Sequence, residues 1–289
     1  MNPDVSINRA GCAEISIVGM GFWGCRMLDG LPSEVASLAA QVAVHDDPLA
    51  LAVCRARTLI ALESDWETVK MSGADPDCGY CRLQEAVAGA DLVLLLGDPG
   101  EAMLSRVLDD FVRKCQGLGI LTVFVCPASV RATESLAVHP SQMTLSVPDG
   151  LDASVFVSAF CQAICSIILM PGMIGVDFAD VRTVLEESGN ALASVAVATG
   201  DHRAHEVALA ALHLDSDMAR ALPTARALLA VIMTAKDEFG LDEFTDIADC
   251  LSRFVAPDAT VIIGGAKDVG LSASEMKLLL VASGVENLP

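Results

Sequence analysis

The chain has 289 residues, of which 53% are hydrophobic and 19% are charged, and its formal net charge is −20 at pH 7. This composition indicates a folded protein of one large domain or two domains, and it excludes an intrinsically disordered chain. The negative charge argues against nucleic acid and anionic membranes as partners. Both are bound by clustered Lys and Arg, and the sequence contains no basic run.

Neither the N-terminus nor the apolar segments predict an export signal or a membrane span. The N-terminal residues lack a cationic region followed by an apolar core. The longest apolar segment, Val155–Met170, has 16 residues and is too short to cross a bilayer comfortably. Ten cysteines are scattered along the chain, and Cys78 and Cys81 form a C-x-x-C in a predicted loop without a second pair at zinc spacing. We therefore expect a cytoplasmic protein without a metal site, a disulfide or direct membrane binding.

A glycine motif follows the first predicted strand, EISIV. Gly19, Gly21 and Gly24 form G-x-G-x-x-G, a helix is predicted over residues 25–31, and a second strand ends shortly before Asp46. This pattern is typical of a dinucleotide site, in which glycines admit a pyrophosphate and the acid binds a ribose hydroxyl. The alternative is a tight strand–helix turn of an α/β fold with nothing bound.

The next part of the chain predicts further α/β units. A loop rich in Gly, Pro and Asp at residues 73–80 and a helix at residues 82–88 precede an all-apolar strand at residues 92–96. An entirely apolar strand indicates a central position in a parallel sheet. Residues 100–106, GEAMLSR, then lead towards another apolar strand at residues 121–125.

The middle of the chain contains a strand at residues 143–147 and a helix at residues 151–170 that is apolar on all sides. A helix of this kind is predicted to be buried between two domains.

Two acids follow this helix in the stretch GMIGVDFADVRTVL, Gly172–Leu185. Asp177 is a suitable N-cap for a helix that begins at Phe178, and Asp180 lies in its first turn. From the residues alone, the stretch predicts a capped amphipathic helix.

The amino-acid sequence of Gly172–Leu185 closely resembles that of a loop and the following helix in FtsZ, the bacterial relative of tubulin. The similarity is continuous from Val195, with ATGDHRA at residues 198–204 and ATVIIG at residues 259–264. It covers nearly the whole chain. In this last part we predict strands at residues 227–233, 260–264 and 275–282 and a helix at residues 244–254.

This resemblance implies an FtsZ/tubulin-like α/β fold. Residues 1–150 would form a GTPase-like domain around a doubly wound, mostly parallel sheet of the nucleotide-binding type. Residues 151–172 would form the central helix, and residues 173–289 would form a smaller α/β C-terminal domain.

The resemblance also implies roles for individual residues. Asp177 and Asp180 stand where the family has two catalytic aspartates, which act on GTP in the pocket of the next subunit of a filament. In the family, a loop with four glycines binds the phosphates, and residues 100–106 stand in its place in this chain. Of those four glycines, only Gly100 remains. Glu101 would place an anion where a triphosphate binds. The resulting pocket is degenerate and would consist of Gly19, Gly21, Gly24, Asp46 and Gly100.

Three functions remain open at this point. The first is an FtsZ-like protein deficient in GTP binding and hydrolysis, with no cofactor, that assembles with itself as a dimer or filament or modulates polymers of a genuine FtsZ. The second is a GTP-binding filament protein with altered contacts, whose GTPase would act across a subunit interface. The third is a dinucleotide-dependent oxidoreductase, for which the isolated histidines, His139, His202, His205 and His213, supply no evident catalytic base.

Overall fold

The computed structural model describes residues 13–63, 77–128, 143–148, 150–170, 174–186, 189–213, 216–235 and 239–285. The strands are β1 (Ile15–Met20), β2 (Ala40–His45), β3 (Thr58–Ala61), β4 (Leu92–Gly97), β5 (Leu121–Cys126), β6 (Met143–Ser146), β7 (Gly189–Thr199), β8 (Ala227–Thr234), β9 (Thr260–Lys267) and β10 (Glu275–Ser283). The α-helices are α1 (Gly21–Asp29), α2 (Ser33–Leu38), α3 (Pro48–Ala52), α4 (Gly79–Val87), α5 (Ala102–Gly117), α6 (Ala153–Leu169), α7 (Phe178–Leu185), α8 (Arg203–His213), α9 (Ser216–Ala221) and α10 (Leu241–Ser252). A 3-10 helix covers Leu222–Thr224.

The strands of the described residues form one sheet in the order β3-β2-β1-β4-β5-β6-β7-β10-β8-β9. The first six strands pair in parallel with their neighbours. β1, β4 and β5 are buried along their whole length, as expected for central strands covered by helices on both faces.

Strand β7 joins the two halves of the sheet. Its first residues, Gly189–Ala191, pair in parallel with β6. The following residues, Leu192–Thr199, pair antiparallel with β10, which also pairs antiparallel with β8. The sheet therefore changes from parallel to mixed along a single strand.

Helix α6 runs through the centre of the molecule. The Asp152 side chain accepts hydrogen bonds from the backbone nitrogens of Ser154 and Val155 and caps its first turn. Most α6 side chains are buried in one apolar core with residues of β5, β7, β8 and α7. A second core lies under α4 and α5, and a third under α8, α9 and α10. This layered architecture confirms the predicted doubly wound α/β class with a central helix.

Two sequence-based predictions differ from the structure, one in where a helix begins and one in element type. Helix α1 begins at Gly21, not at Cys25, because Gly21 has a φ of +72° and turns the chain directly from the strand into the helix. Cys81 lies not in a loop but in the first turn of α4, whereas Cys78 precedes that helix as its N-cap. The rest of the loop predicted at residues 73–80, and His139, lie outside the described residues.

Among the described residues, no helix is long and apolar enough to cross a membrane.

Candidate functional site

The candidate site lies where the sheet order reverses. β1 pairs with β2 on one side and with β4 on the other, and Met20 is in register with Val44 and Gly97. The carboxyl ends of these three parallel strands therefore meet at one edge. Open α/β sheets bind ligands in the crevice at such a switch point. The predicted site residues Gly19, Gly21, Gly24, Asp46 and Gly100 lie at the ends of these strands or directly after them.

The three glycines of the β1–α1 turn allow close approach between neighbouring elements. A Cβ added at Gly19 would lie 2.6 Å from the carbonyl oxygen of Gly24, and one at Gly24 would lie 2.1 Å from that of Leu96. These two glycines therefore let α1 pack directly against β1 and β4. Gly21 differs, because a Cβ there would lie 2.1 Å from a side-chain oxygen of Glu101.

The Glu101 carboxylate closes the N-terminus of α1. One oxygen accepts a hydrogen bond from the backbone nitrogen of Phe22 at 2.7 Å, and the other accepts from that of Trp23 at 2.9 Å. The first backbone N–H groups of a helix have no intrahelical partner and lie at the positive end of the helix dipole. Such N–H groups bind phosphates and carboxylates in many proteins. Here that place is taken by a side chain of the same protein.

The turn after β4 holds Glu101 in position. An Asp98 side-chain oxygen accepts from the backbone nitrogen of Gly100 at 2.8 Å, and the Asp98 carbonyl accepts from that of Glu101 at 2.9 Å. Glu101 is the N-cap residue of α5, yet its side chain makes no capping bond there. Its carboxylate reaches across the switch point to α1, and Glu101 is half-buried.

Asp46 lies at the same edge of the sheet and is exposed. The Nδ1 of His45 lies 3.2 Å from an Asp46 oxygen and accepts a hydrogen bond from the backbone nitrogen of Asp47. The following Asp47 is the N-cap of α3 and accepts from the backbone nitrogen of Leu49. Asp46 therefore remains available for a hydroxyl group, whereas Asp47 is a structural cap.

Asp177 and Asp180 form a capping box at the start of α7. Asp177 accepts from the backbone nitrogen of Asp180 at 2.8 Å, and Asp180 accepts from that of Asp177 at 3.3 Å. Val181, Val184 and Leu185 are buried, and both acids are exposed. The predicted N-cap at Asp177 and helix start at Phe178 are confirmed.

The structure does not bring these two acids to the glycine turn. Arg182 of α7 donates to the carbonyl of Gly119, which precedes β5 at the amino edge of the parallel sheet. Glu101 follows β4 at the opposite, carboxyl edge, and β4 and β5 are parallel neighbours. Helix α7 therefore contacts the edge of the sheet opposite the one that carries Glu101.

One contact in the C-terminal part had no signal in the sequence. Arg203 donates from Nε to Glu243 at 2.7 Å, and both side chains are largely buried. The hydrogen bond from Arg203 lowers the pKa of Glu243, and the same bond raises the pKa of Arg203. The pair fixes α8 to α10. Its partners are 40 residues apart, so no local pattern predicts it.

The family model and the relatives that match this chain all carry the name FtsZ. A family model described as the FtsZ family, C-terminal domain, matches residues 189–286. The chain is 28% identical to the cell division protein FtsZ of Coxiella burnetii over 310 residues, covering 94% of this chain and 79% of that protein. It is also 28% identical to the cell division protein FtsZ of Pseudomonas aeruginosa over 314 residues, covering 96% and 79% of the two chains.

Solved structures share the fold. The empty FtsZ dimer of M. jannaschii superposes with a TM-score of 0.76 at 22% identity, covering 95% of this chain and 89% of that one. The GTPγS-bound protofilament of CetZ2 from Haloferax volcanii superposes with a TM-score of 0.68 at 16% identity, covering 95% and 94%. The sequence matches, which extend over nearly the whole chain, and the shared fold together support the FtsZ/tubulin superfamily as the family that this chain resembles.

Proposed function

We propose that this chain is an FtsZ-like cytoskeletal protein of the cell-division family whose phosphate site is filled by its own Glu101. It would work in the cytoplasm without binding or hydrolysing GTP. It would assemble with itself, or modulate polymers of a genuine FtsZ, through the face that carries Asp177 and Asp180.

The observation that carries the proposal is the pair of bonds from Phe22 and Trp23 to Glu101. A nucleotide phosphate would need the same two N–H groups and would also meet the negative charge of Glu101. The turn as folded therefore does not fit a phosphate group.

The size of the effect favours loss of nucleotide binding. Hydrogen bonds to charged groups contribute about 1.5–3 kcal/mol each, so displacing the carboxylate forfeits about 3–6 kcal/mol. Since each 1.4 kcal/mol is about tenfold in affinity, this corresponds to a loss of about 10²–10⁴. The dinucleotide hypothesis meets the same obstacle, because a pyrophosphate would use the same turn.

The position of Asp177 and Asp180 supports a role between subunits. Both acids are exposed on α7, whose Arg182 contacts the edge of the sheet opposite Glu101, so we propose that they meet the nucleotide edge of another molecule. We also propose that the chain divides into residues 1–150, 151–172 and 173–289, as the family resemblance implies. Strand β7 of the last part pairs with β6 of the first part and so links the two. The solved relatives include a dimer and a protofilament, which is the kind of assembly proposed here.

A second function, that of a GTP-binding filament protein, stays open because Glu101 is only half-buried. If its side chain swings out, the three glycines are still present and GTP could bind by altered contacts. The protein would then be a filament-forming GTPase. Binding of GTP to the purified chain separates the two functions.

The experiment for the modulating role uses FtsZ from Pseudomonas aeruginosa with GTP. The chain is added at substoichiometric amounts, and pelleted polymer and GTP turnover are measured. We expect a change in polymer mass or in GTP turnover, and no change in either would contradict the modulating role.

The test variant is Asp177→Asn plus Asp180→Asn, which removes both charges while Asn still caps the helix. The control is Asp246→Asn plus Asp249→Asn, an exposed pair at the same spacing on α10.

A further inference from the structure

The first turn of α4 holds two thiols in contact. Cys78 is the N-cap residue, and its Sγ accepts a hydrogen bond from the backbone nitrogen of Cys81 at 3.3 Å. The two Sγ atoms lie 3.0 Å apart. A disulfide bond is about 2.05 Å long, so about 1 Å of approach separates this pair from a covalent bond.

The surroundings of the pair suit a dithiol. C-x-x-C at a helix N-terminus within a strand–helix–strand unit is the arrangement of redox-active cysteine pairs. Helix α4 lies between β3 and β4 in chain order. No group of three or more His, Cys, Asp or Glu side chains in the described part of the chain is arranged to hold a metal ion. Glu63 binds the backbone nitrogen of Gly79 at 3.0 Å and so fixes the same turn from outside.

The two sulfurs differ in exposure. Cys78 is only 3% exposed, whereas Cys81 is half-buried and borders the surface. A molecule arriving from solvent therefore reaches Cys81 first.

We propose that Cys78 and Cys81 are a reversible dithiol–disulfide site that exchanges with small-molecule disulfides such as oxidised glutathione. The Cys81 thiolate attacks one sulfur of the disulfide, forms a mixed disulfide and releases the first glutathione thiolate. The Cys78 thiolate then attacks the Cys81 sulfur, forms the Cys78–Cys81 bond and releases the second. The two thiol protons pass to the two released thiolates. The cysteines lose two electrons, and glutathione disulfide gains them.

The other thiols give a basis for comparison. Burial raises the pKa of Cys115 and Cys126 to about 11 and that of Cys165 to about 12. These thiols stay protonated and pack as small apolar groups. The site at Cys78 and Cys81 is independent of the phosphate site and of the proposed function.

The test equilibrates the folded protein with oxidised and reduced glutathione in varied ratio. Samples are quenched in acid, alkylated and mapped by mass spectrometry. We expect the wild-type peptide to lose two hydrogens as a Cys78–Cys81 disulfide and to recover them with dithiothreitol. Persistence of two alkylated thiols in the folded protein under oxidising ratios would refute the proposal.

Two variants test the order of attack. In Cys78→Ser, where Ser retains the N-cap, Cys81 should accumulate a mixed disulfide with glutathione that does not resolve. In Cys81→Ser, the buried Cys78 should stay reduced. The control Cys54→Ser, at a half-buried thiol elsewhere, should behave as wild type. Circular dichroism establishes that each variant is folded. Glutathione found on Cys78 but not on Cys81 would overturn the assignment.

Discussion

The Glu101 carboxylate accepts a hydrogen bond from the backbone nitrogen of Phe22 at 2.7 Å, across 79 residues of sequence. The contact joins the two turns that flank the switch point of the sheet. It gives the α1 N-terminus an anionic partner from the same chain. The same carboxylate therefore stabilises the fold and occupies the N–H groups that a phosphate would need.

Removing this carboxylate should destabilise the protein and create an anion site. In Glu101→Ala, water replaces the carboxylate at the N–H groups of Phe22 and Trp23 and recovers part of the roughly 3–6 kcal/mol of the two bonds, so the free energy of unfolding should fall by about 1–3 kcal/mol. Inorganic phosphate should then raise the melting temperature of the variant, and it should leave the wild type unchanged. Differential scanning fluorimetry measures both effects. Asp152→Ala is the control, because it opens a helix N-terminus that lacks the glycine turn. A phosphate response in Asp152→Ala as large as that in Glu101→Ala would show that the turn is not special.

The Gly21 position should tolerate no side chain while Glu101 is present. Gly21→Ala places a Cβ 2.1 Å from a Glu101 oxygen and forces Ala to a φ of +72°. The left-handed backbone alone costs about 1–2 kcal/mol. Urea unfolding should therefore show a large loss of stability. In the double variant Gly21→Ala plus Glu101→Ala, the part of this loss that comes from the clash with Glu101 should disappear, and the part that comes from the left-handed backbone should remain. Gly89→Ala, with no atom within 4 Å of the added Cβ, is the control and should change little. Strict additivity of the Gly21 and Glu101 changes would contradict the contact.

The Arg203–Glu243 pair should contribute stability that depends on pH. The pKa of Glu243 is lowered in the folded state, so its contribution is fully present above the unfolded value of about 4.3 and is lost as pH falls through the lower folded value. At pH 7, Glu243→Gln should cost about 1–2 kcal/mol, since the bond is charge-assisted and largely buried. The difference from wild type should shrink in acid. Urea titrations of both proteins at pH 7 and near pH 3 provide the comparison, and a constant difference would contradict the assignment.

The structural and functional roles of Asp177 should separate in two variants. Asp177→Ala removes the N-cap of α7 and should cost about 1 kcal/mol, whereas Asp177→Asn keeps the cap and should cost much less. Thermal unfolding measures this difference. If the acid works between subunits, both variants should weaken the effect on FtsZ polymers equally. An effect that follows stability alone would leave Asp177 as only a cap.

The sequence predicted those elements that carry their own local signal. The apolar runs of β4 and β5, the uniformly apolar α6 and the cap at Asp177 are all properties of consecutive residues. The short helices α2 and α3, each under two turns, carry too little periodicity to predict. The start of α1 at Gly21 depends on a positive backbone φ, which several glycines of the chain adopt and which no local sequence pattern assigns to this one.

The chemistry of the site was predictable only in part. The charge of Glu101 in the phosphate loop was evident from the sequence, and from it we predicted repulsion. Its bonds to Phe22 and Trp23 are tertiary contacts between distant turns, and no spacing in the sequence encodes them. The Cys78–Cys81 contact was likewise hidden until α4 was seen to begin at Gly79.

Equilibrium binding of GTP to the purified wild-type chain tests most directly whether Glu101 has replaced the nucleotide. We expect no saturable binding up to millimolar GTP, and measurable binding in Glu101→Ala. Saturable binding of GTP to the wild type would contradict the replacement and would favour the filament-forming GTPase.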